Sequence, residues 1–143
     1  MGYRSAIAYL YGLQKYGIKF GLTSISQLLA ALGNPHHRIR CVHIAGTNGK
    51  GSTAAFIASI LTAAGYKTGL YTSPHLITFT ERITINNRDI SHGSVARLTA
   101  LIRDAASPLD SITFFECATA MAFLYFAEQK VDCAVIETGM GGR

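Results

Sequence analysis

Cys41-Val-His-Ile-Ala-Gly46-Thr-Asn-Gly49-Lys50-Gly51-Ser52-Thr53 is an apolar run that breaks into a glycine-rich turn and then into helix-compatible residues. That order predicts strand, tight turn, helix. The run from Cys41 to Ala45 is bounded by glycine and is expected as a buried strand. The glycines let the backbone turn sharply and aim N–H groups inward. Together with the helix N-terminus these groups form a nest for phosphate oxygens. Thr47, Asn48, Gly49, Lys50, Gly51, Ser52 and Thr53 are therefore the candidate ATP contacts. Lys50 would sit against the β- and γ-phosphates, and a hydroxyl just inside the helix, Ser52, would reach Mg2+.

Rival readings of the same residues stay open at this point. The match to G-x-x-x-x-G-K-[ST] is incomplete, because Ile44 stands where the first glycine belongs and Gly51 separates Lys50 from Ser52. Gly49-Lys-Gly51-Ser-Thr-Ala54 also fits the dinucleotide fingerprint. That fingerprint calls for an acidic ribose partner at the end of the next strand, where Leu70-Tyr-Thr-Ser73 offers none. A lysine inside the turn also favours a triphosphate. Glycines serving only a tight turn would leave that lysine unexplained. No Asp-x-x-Gly and no Asn-Lys-x-Asp is present, so nothing marks a GTPase.

Outward from this turn, the chain reads as alternating helices and strands. Residues 4–16 predict a helix with Ser5 as cap, and Ser24 to Leu32 a second one, stopped by Gly33-Asn34-Pro35. After the glycine turn, Ser52 to Ala64 reads as helix closed by Gly65, and Lys67 to Thr72 as strand. Ser73 to Thr80 reads as a loop, Arg82 to Asn86 as a strand, and Asn86-Asn87 as a turn. Ser91 to Ala106 is helical in pattern. Thr113-Phe-Phe-Glu116 is a capping box opening a helix to about Gln129, and Val131 to Ile136 is an apolar strand ending in Glu137. This order predicts an α/β, P-loop-type three-layer domain, mainly a parallel sheet with helices on both faces. Ligands of such sheets bind at the carboxyl ends of the strands. The glycine turn, the loop after Thr72, and Glu137 converge there.

Composition narrows the function classes. With 49% hydrophobic and 15% charged residues in 143, the chain can bury a core and is not a disordered segment. The net charge of +5 suits an anionic partner. Only His36, His37, Arg38 and Arg40 approach a basic cluster, so a nucleotide or polycarboxylate explains the sign as well as nucleic acid, which is not favoured. Cys41, Cys117 and Cys133 lack CxxC spacing and read as buried free thiols of a reducing compartment. No charge-free apolar run reaches the roughly 18 residues a bilayer span requires. Met1 to Leu13 faintly resembles a leader, but Gln14, Lys15 and Lys19 follow without a small-residue cleavage site. A cytoplasmic protein with no membrane partner is expected.

Glu137 is the leading metal candidate, because Mg2+ takes hard oxygen ligands and this carboxylate ends a strand at the ligand edge. The alternative is a solvent-exposed strand-end glutamate. Ser73, in Thr72-Ser-Pro-His-Leu76, would face the same edge. His75 as a lone histidine is assigned no catalysis. Glu81-Arg82 reads as a surface pair, with Arg82 also able to meet an anionic substrate.

Gly46-Thr-Asn-Gly-Lys-Gly-Ser52 resembles the phosphate loop of folylpolyglutamate synthases and dihydrofolate synthases, which belong with the muramyl-peptide (Mur) ligases. In the latter the lysine is normally followed directly by Thr or Ser, so the inserted Gly51 points to the folate branch. Gly17-Ile-Lys-Phe-Gly-Leu22, Leu32-Gly-Asn-Pro35, Thr72-Ser-Pro-His-Leu76 with Glu81-Arg82, and Glu137-Thr-Gly-Met-Gly-Gly-Arg143 agree, in the family's order. The resemblance implies that residues 1–143 are the N-terminal part of the ATP-binding, Mur ligase central domain, with the C-terminal glutamate-binding domain absent. It implies an ATP-dependent ligase: a pterin carboxylate becomes an acyl phosphate, and the amine of L-glutamate attacks to give the amide of dihydropteroate or folate. Lys50 and Glu137 would be the catalytic pair. Ser52, Ser73 and Glu137 would hold magnesium, and Pro74, Arg82, Thr113 and Phe115 would lie near the pterin. Phe115 reads equally well as plain core packing. The parent is expected to be a monomer, and the 143 residues alone catalytically dead, with an uncovered strand edge and a tendency to associate. A non-catalytic nucleotide-binding module acting through a partner is the alternative.

Overall fold

In the computed structural model, which describes residues 1–17 and 21–138, the run Cys41–Ile44 becomes strand β1. Four further strands join it: β2 (Thr68–Tyr71), β3 (Ile83–Ile85), β4 (Arg88–Asp89) and β5 (Cys133–Glu137). Their order in the sheet is β1-β5-β2-β3-β4. β5 pairs in parallel with β1 and with β2, while β3 and β4 are antiparallel. The sheet is thus mixed: parallel where the crossovers are long, antiparallel where the chain doubles back. The tight β3–β4 hairpin rests on Asn86 and Asn87, whose positive φ of 49° and 66° suits a primed turn matching strand twist.

The expectation of a buried first strand is corrected. β1 alternates exposed and half-buried residues, with Cys41 and His43 exposed, because it lies at the sheet edge. An apolar run carries no information on which position in the sheet it takes. Cys41 is consequently not the buried thiol expected, whereas Cys117 is buried and Cys133 half-buried.

The chain divides into two compact units. One holds Ile39–Ile90 and Gln129–Arg143; the other holds Met1–Arg38 and Ser91–Glu128. In the first, helix α3 (Lys50–Ala63) packs on β1, β2 and β5. Ala54 and Ala58, one turn apart, bring it close enough to bury Val135, with Val42, Ile44, Ile57, Leu61 and Leu70 around them. Phe56 and Ile60, also one turn apart, are exposed on the same helix. The second unit is helical: α1 (Tyr3–Gly12), α2 (Thr23–Ala31), α4 (His92–Ala106) and α5 (Phe114–Glu128). α1 packs on α4 and α5, and α2 on the same two. Leu10, Leu28, Leu98, Ile102, Met121 and Phe126 are fully buried. Arg97 holds Glu128 through two 2.9 Å hydrogen bonds between α4 and α5.

Helix ends follow sequence rules in most places. α2 stops in a Schellman arrangement, Gly33 N–H to Ala30 O at 3.0 Å and Asn34 N–H to Leu29 O at 2.8 Å, with Gly33 at φ 84°. Ser91 caps α4 by accepting from Ser94 N–H at 3.1 Å. The capping box of α5 forms as expected. Ser5 does not cap α1: Gly2 occupies that position without a side-chain bond, and Ser5 lies inside the first turn. α1 ends at Gly12 and continues as a 3-10 turn, Leu13–Tyr16. Among the described residues no helix is long and apolar enough to cross a membrane.

Candidate functional site

Parallel pairing sets the carboxyl ends of β1, β5 and β2 level with one another. Ile44 stands opposite Glu137, and Tyr71 opposite Ile136. Three segments therefore leave the sheet side by side: the glycine turn after β1, Thr138 after β5, and Ser73 after β2.

The glycine turn enters α3 earlier than expected, at Lys50 rather than Ser52. Gly49 is the N-cap residue, in the left-handed region at φ 74°, which an L side chain adopts only at a cost. No side chain caps the helix, and its first turn holds no acid. Positive helix-end potential and first-turn N–H groups are thus offered without an internal anion, as a phosphate cradle requires. Lys50 is the first helical residue. A β-carbon built on Gly46 would lie 3.9 Å from Lys50 Cγ, so the lysine stem runs back along the turn. Thr47, Asn48, Gly49, Gly51, Ser52 and Thr53 are exposed and Lys50 half-buried.

Glu137 is only 6% exposed, which removes the reading of a solvent-facing strand end. Its carboxylate accepts one hydrogen bond among the described residues, a long one of 3.4 Å from Ser73 N–H. The fold therefore brings Ser73 and Glu137 together from β2 and β5. A buried carboxylate with one weak donor is short of partners. Thr138 Oγ1, next in the chain, is buried with no partner among the described residues, although Thr138 N–H reaches Ile44 O at 3.0 Å. Among the described residues no group of three His, Cys, Asp or Glu side chains could hold a metal. The donors at this edge are a carboxylate and hydroxyls, hard oxygens that suit Mg2+ and not zinc.

The loop after Ser73 is more ordered than its sequence suggests. The Ser73–Pro74 peptide is cis. Thr72 N–H donates to Arg82 O at 3.0 Å and closes the loop's base. The expected Glu81–Arg82 surface pair is corrected. Arg82 is buried at 7% exposure, and its Nε donates to His75 Nδ1 at 2.7 Å. Burial, with the Arg82 charge next, pushes His75 below its ordinary value, as an acceptor of that bond must be. Glu81 instead accepts from three backbone N–H groups, Leu76 at 2.8 Å, Ile77 at 3.1 Å and Thr78 at 3.0 Å. Those donors, Leu76 first, hold its carboxyl below the ordinary value of 4.5. Neither role was assigned from sequence. For Glu81 a signal existed, since Thr78-Phe-Thr-Glu81 is itself a capping box.

Thr113 and Phe115 belong to the helical unit. Thr113 is buried, and its hydroxyl is committed to the capping box, accepting from Glu116 N–H and donating to Glu116 Oε1, both at 3.1 Å. Phe115 is 40% exposed and not plain core. Pro74 is exposed. The motif stretches over 18–20 and 139–143 lie outside the described residues.

No protein-family model matches the chain. It is 48% identical over 147 residues to the dihydrofolate synthase/folylpolyglutamate synthase of Bacillus subtilis (strain 168), an overlap of 99% of this chain and 34% of that protein. The solved folylpolyglutamate synthetase of Lactobacillus casei superposes with a TM-score of 0.91 at 40% identity, over 98% of this chain and 37% of that one. A solved FPGS–AMPPCP–folate complex gives a TM-score of 0.89 at 40% identity, over 99% and 36%. The chain thus spans about a third of the length of the relatives it matches. Alike in sequence and in fold along nearly all its residues, the chain belongs to the folylpolyglutamate synthase/dihydrofolate synthase family.

Proposed function

We propose that this chain is the ATP-binding part of a ligase that joins L-glutamate to dihydropteroate or a folate. The observation that carries the reading is the meeting of Ser73 and the buried Glu137 carboxylate, level with an uncapped, lysine-bearing helix N-terminus. Relatives solved with AMPPCP and folate, and in Escherichia coli with DHPP and ADP, support the same ligand classes.

The chemistry follows from charge. A carboxylate is a poor acceptor for an amine until phosphorylated. Transfer of the γ-phosphoryl from ATP gives an acyl phosphate and ADP; the glutamate amine then displaces phosphate and forms the amide. Catalysis of such a transfer is mostly positioning and charge neutralisation. The backbone from Asn48 to Ser52 cradles the phosphates, and Lys50 places its ammonium against the β- and γ-oxygens. Glu137, Ser73 and Ser52 would hold Mg2+, which when bound supplies charge neutralisation between those oxygens. Arg82, fixed by His75, stands in the loop that leaves the same edge.

Calorimetric titration of the chain with ATP, with and without Mg2+, tests this. Binding should require Mg2+ and be lost in Lys50→Ala and Glu137→Ala. Metal-independent binding, or full affinity in both variants, overturns the assignment.

A further inference from the structure

Residues 72–82 form a closed, internally braced loop at the ligand edge of the sheet. The Thr72–Arg82 backbone bond joins its ends, and Ser73 N–H anchors one end to Glu137. At its tip stand two adjacent apolar side chains, Leu76 at 92% and Ile77 at 89% exposure. Leu76 and Ile77 are the two most exposed large apolar residues among those described. Two such side chains facing water would ordinarily turn inward if the backbone allowed it. Here the backbone does not allow it. Glu81 Oε1 accepts from Leu76 N–H, and Oε2 from both Ile77 N–H and Thr78 N–H. Both oxygens of one carboxylate are thereby spent on three consecutive amides, leaving this stretch of loop little freedom.

We infer that Glu81 is a positioning residue, presetting Leu76 and Ile77 as an apolar lip that takes the flat heteroaromatic ring of the acceptor. This rests on the ligase reading above and adds to it a residue that need not touch substrate. Order held in advance favours binding because the loop's conformational entropy is lost on folding and not on association. Backbone charge complementarity explains why the residue must be a carboxylate. Glutamine has one acceptor oxygen and an amino group that cannot accept, so it can hold Leu76 or the Ile77–Thr78 pair, but not all three.

The test titrates folate and Mg·ATP separately into the chain and into Glu81→Gln, Glu81→Asp and the double variant Leu76→Ser/Ile77→Ser. Amide hydrogen exchange at residues 76–78 is recorded in parallel. Glu81→Gln should lose amide protection at 76–78 and weaken folate roughly tenfold, the scale expected when a few loop residues must be ordered on binding. Mg·ATP affinity should not change. Glu81→Asp should recover part of both losses. The double variant keeps the clamp and alters only exposed side chains; it should keep amide protection and still lose folate affinity. Unchanged folate affinity in either Glu81→Gln or the double variant overturns the inference and leaves the ligase reading standing, as does a chain that binds Mg·ATP but not folate. A folded chain that binds neither overturns both.

Discussion

Two glycines of the phosphate turn, two residues apart, should respond to the same substitution with opposite signs. Gly49 caps α3 at φ 74°, whereas Gly51 lies within the helix, in its first turn. A methyl group meets nothing within 4 Å at either position, so neither change involves a clash. What remains is backbone energetics. Gly49→Ala forces an L residue into the left-handed region, costing about 1–2 kcal/mol, against a gain of roughly 0.5 kcal/mol from a stiffer unfolded chain. The net loss is about 1 kcal/mol, or roughly 3–4 °C in Tm for a chain of this size. Gly51→Ala removes glycine's helical penalty and should gain about 0.5–1 kcal/mol, raising Tm by roughly 2–3 °C. Both methyls, however, stand where phosphate oxygens approach the backbone, so ATP affinity should fall in both. Thermal melts without nucleotide, paired with calorimetric titration, separate the two effects. Melting shifts of the same sign would refute the helix start at Lys50. A Gly51→Ala variant that melts higher and binds ATP at full strength would refute the cradle.

Met121 is fully buried in α5; Met121→Ala should cost about 2–5 kcal/mol, read as a lowered urea midpoint at unchanged slope. Thiol labelling at pH 8 should modify exposed Cys41 first and reach Cys117 only on unfolding, because burial pushes that thiol up to about 12. Glu81 has a carboxyl depressed by its backbone donors, so its contribution to loop order is complete above the unfolded value of about 4.3 and is lost as pH falls through the folded value below it. Amide shifts of residues 76–78 should titrate together in that acidic window and stay flat through neutrality; a transition near pH 6 would point to His75 instead.

What could be read in the chain alone was local chemistry. The glycine turn, the Gly33-Asn34 stop, the Ser91 cap and the Thr113–Glu116 box each depend on a few neighbouring residues, and each formed. Glu137 at a strand's carboxyl end and Ser73 after the next parallel strand were legible because an α/β order fixes which strand ends share an edge. Position within the sheet was not. Cys41–Ile44 is as apolar as an inner strand yet lies at the edge, since only the partners' arrangement decides that. Arg82 was likewise opaque: a charge seven residues from a histidine carries no mark that a loop will fold back and bury the pair. The split into two units was hidden for the same reason, because each is assembled from stretches far apart in sequence.

The place of β5 has a consequence for how the protein is made. β1 and β2 do not touch each other; both bind only to a strand between them that is the last of the five to leave the ribosome. For roughly ninety residues of synthesis β1 waits without a partner, and α3 without a complete surface to cover. At about 5–20 residues per second that wait lasts several seconds to tens of seconds. A nascent chain paused before Cys133 would carry bare strand edges, the state that chaperones are built to hold, and insertion of one short segment would close the sheet at a stroke.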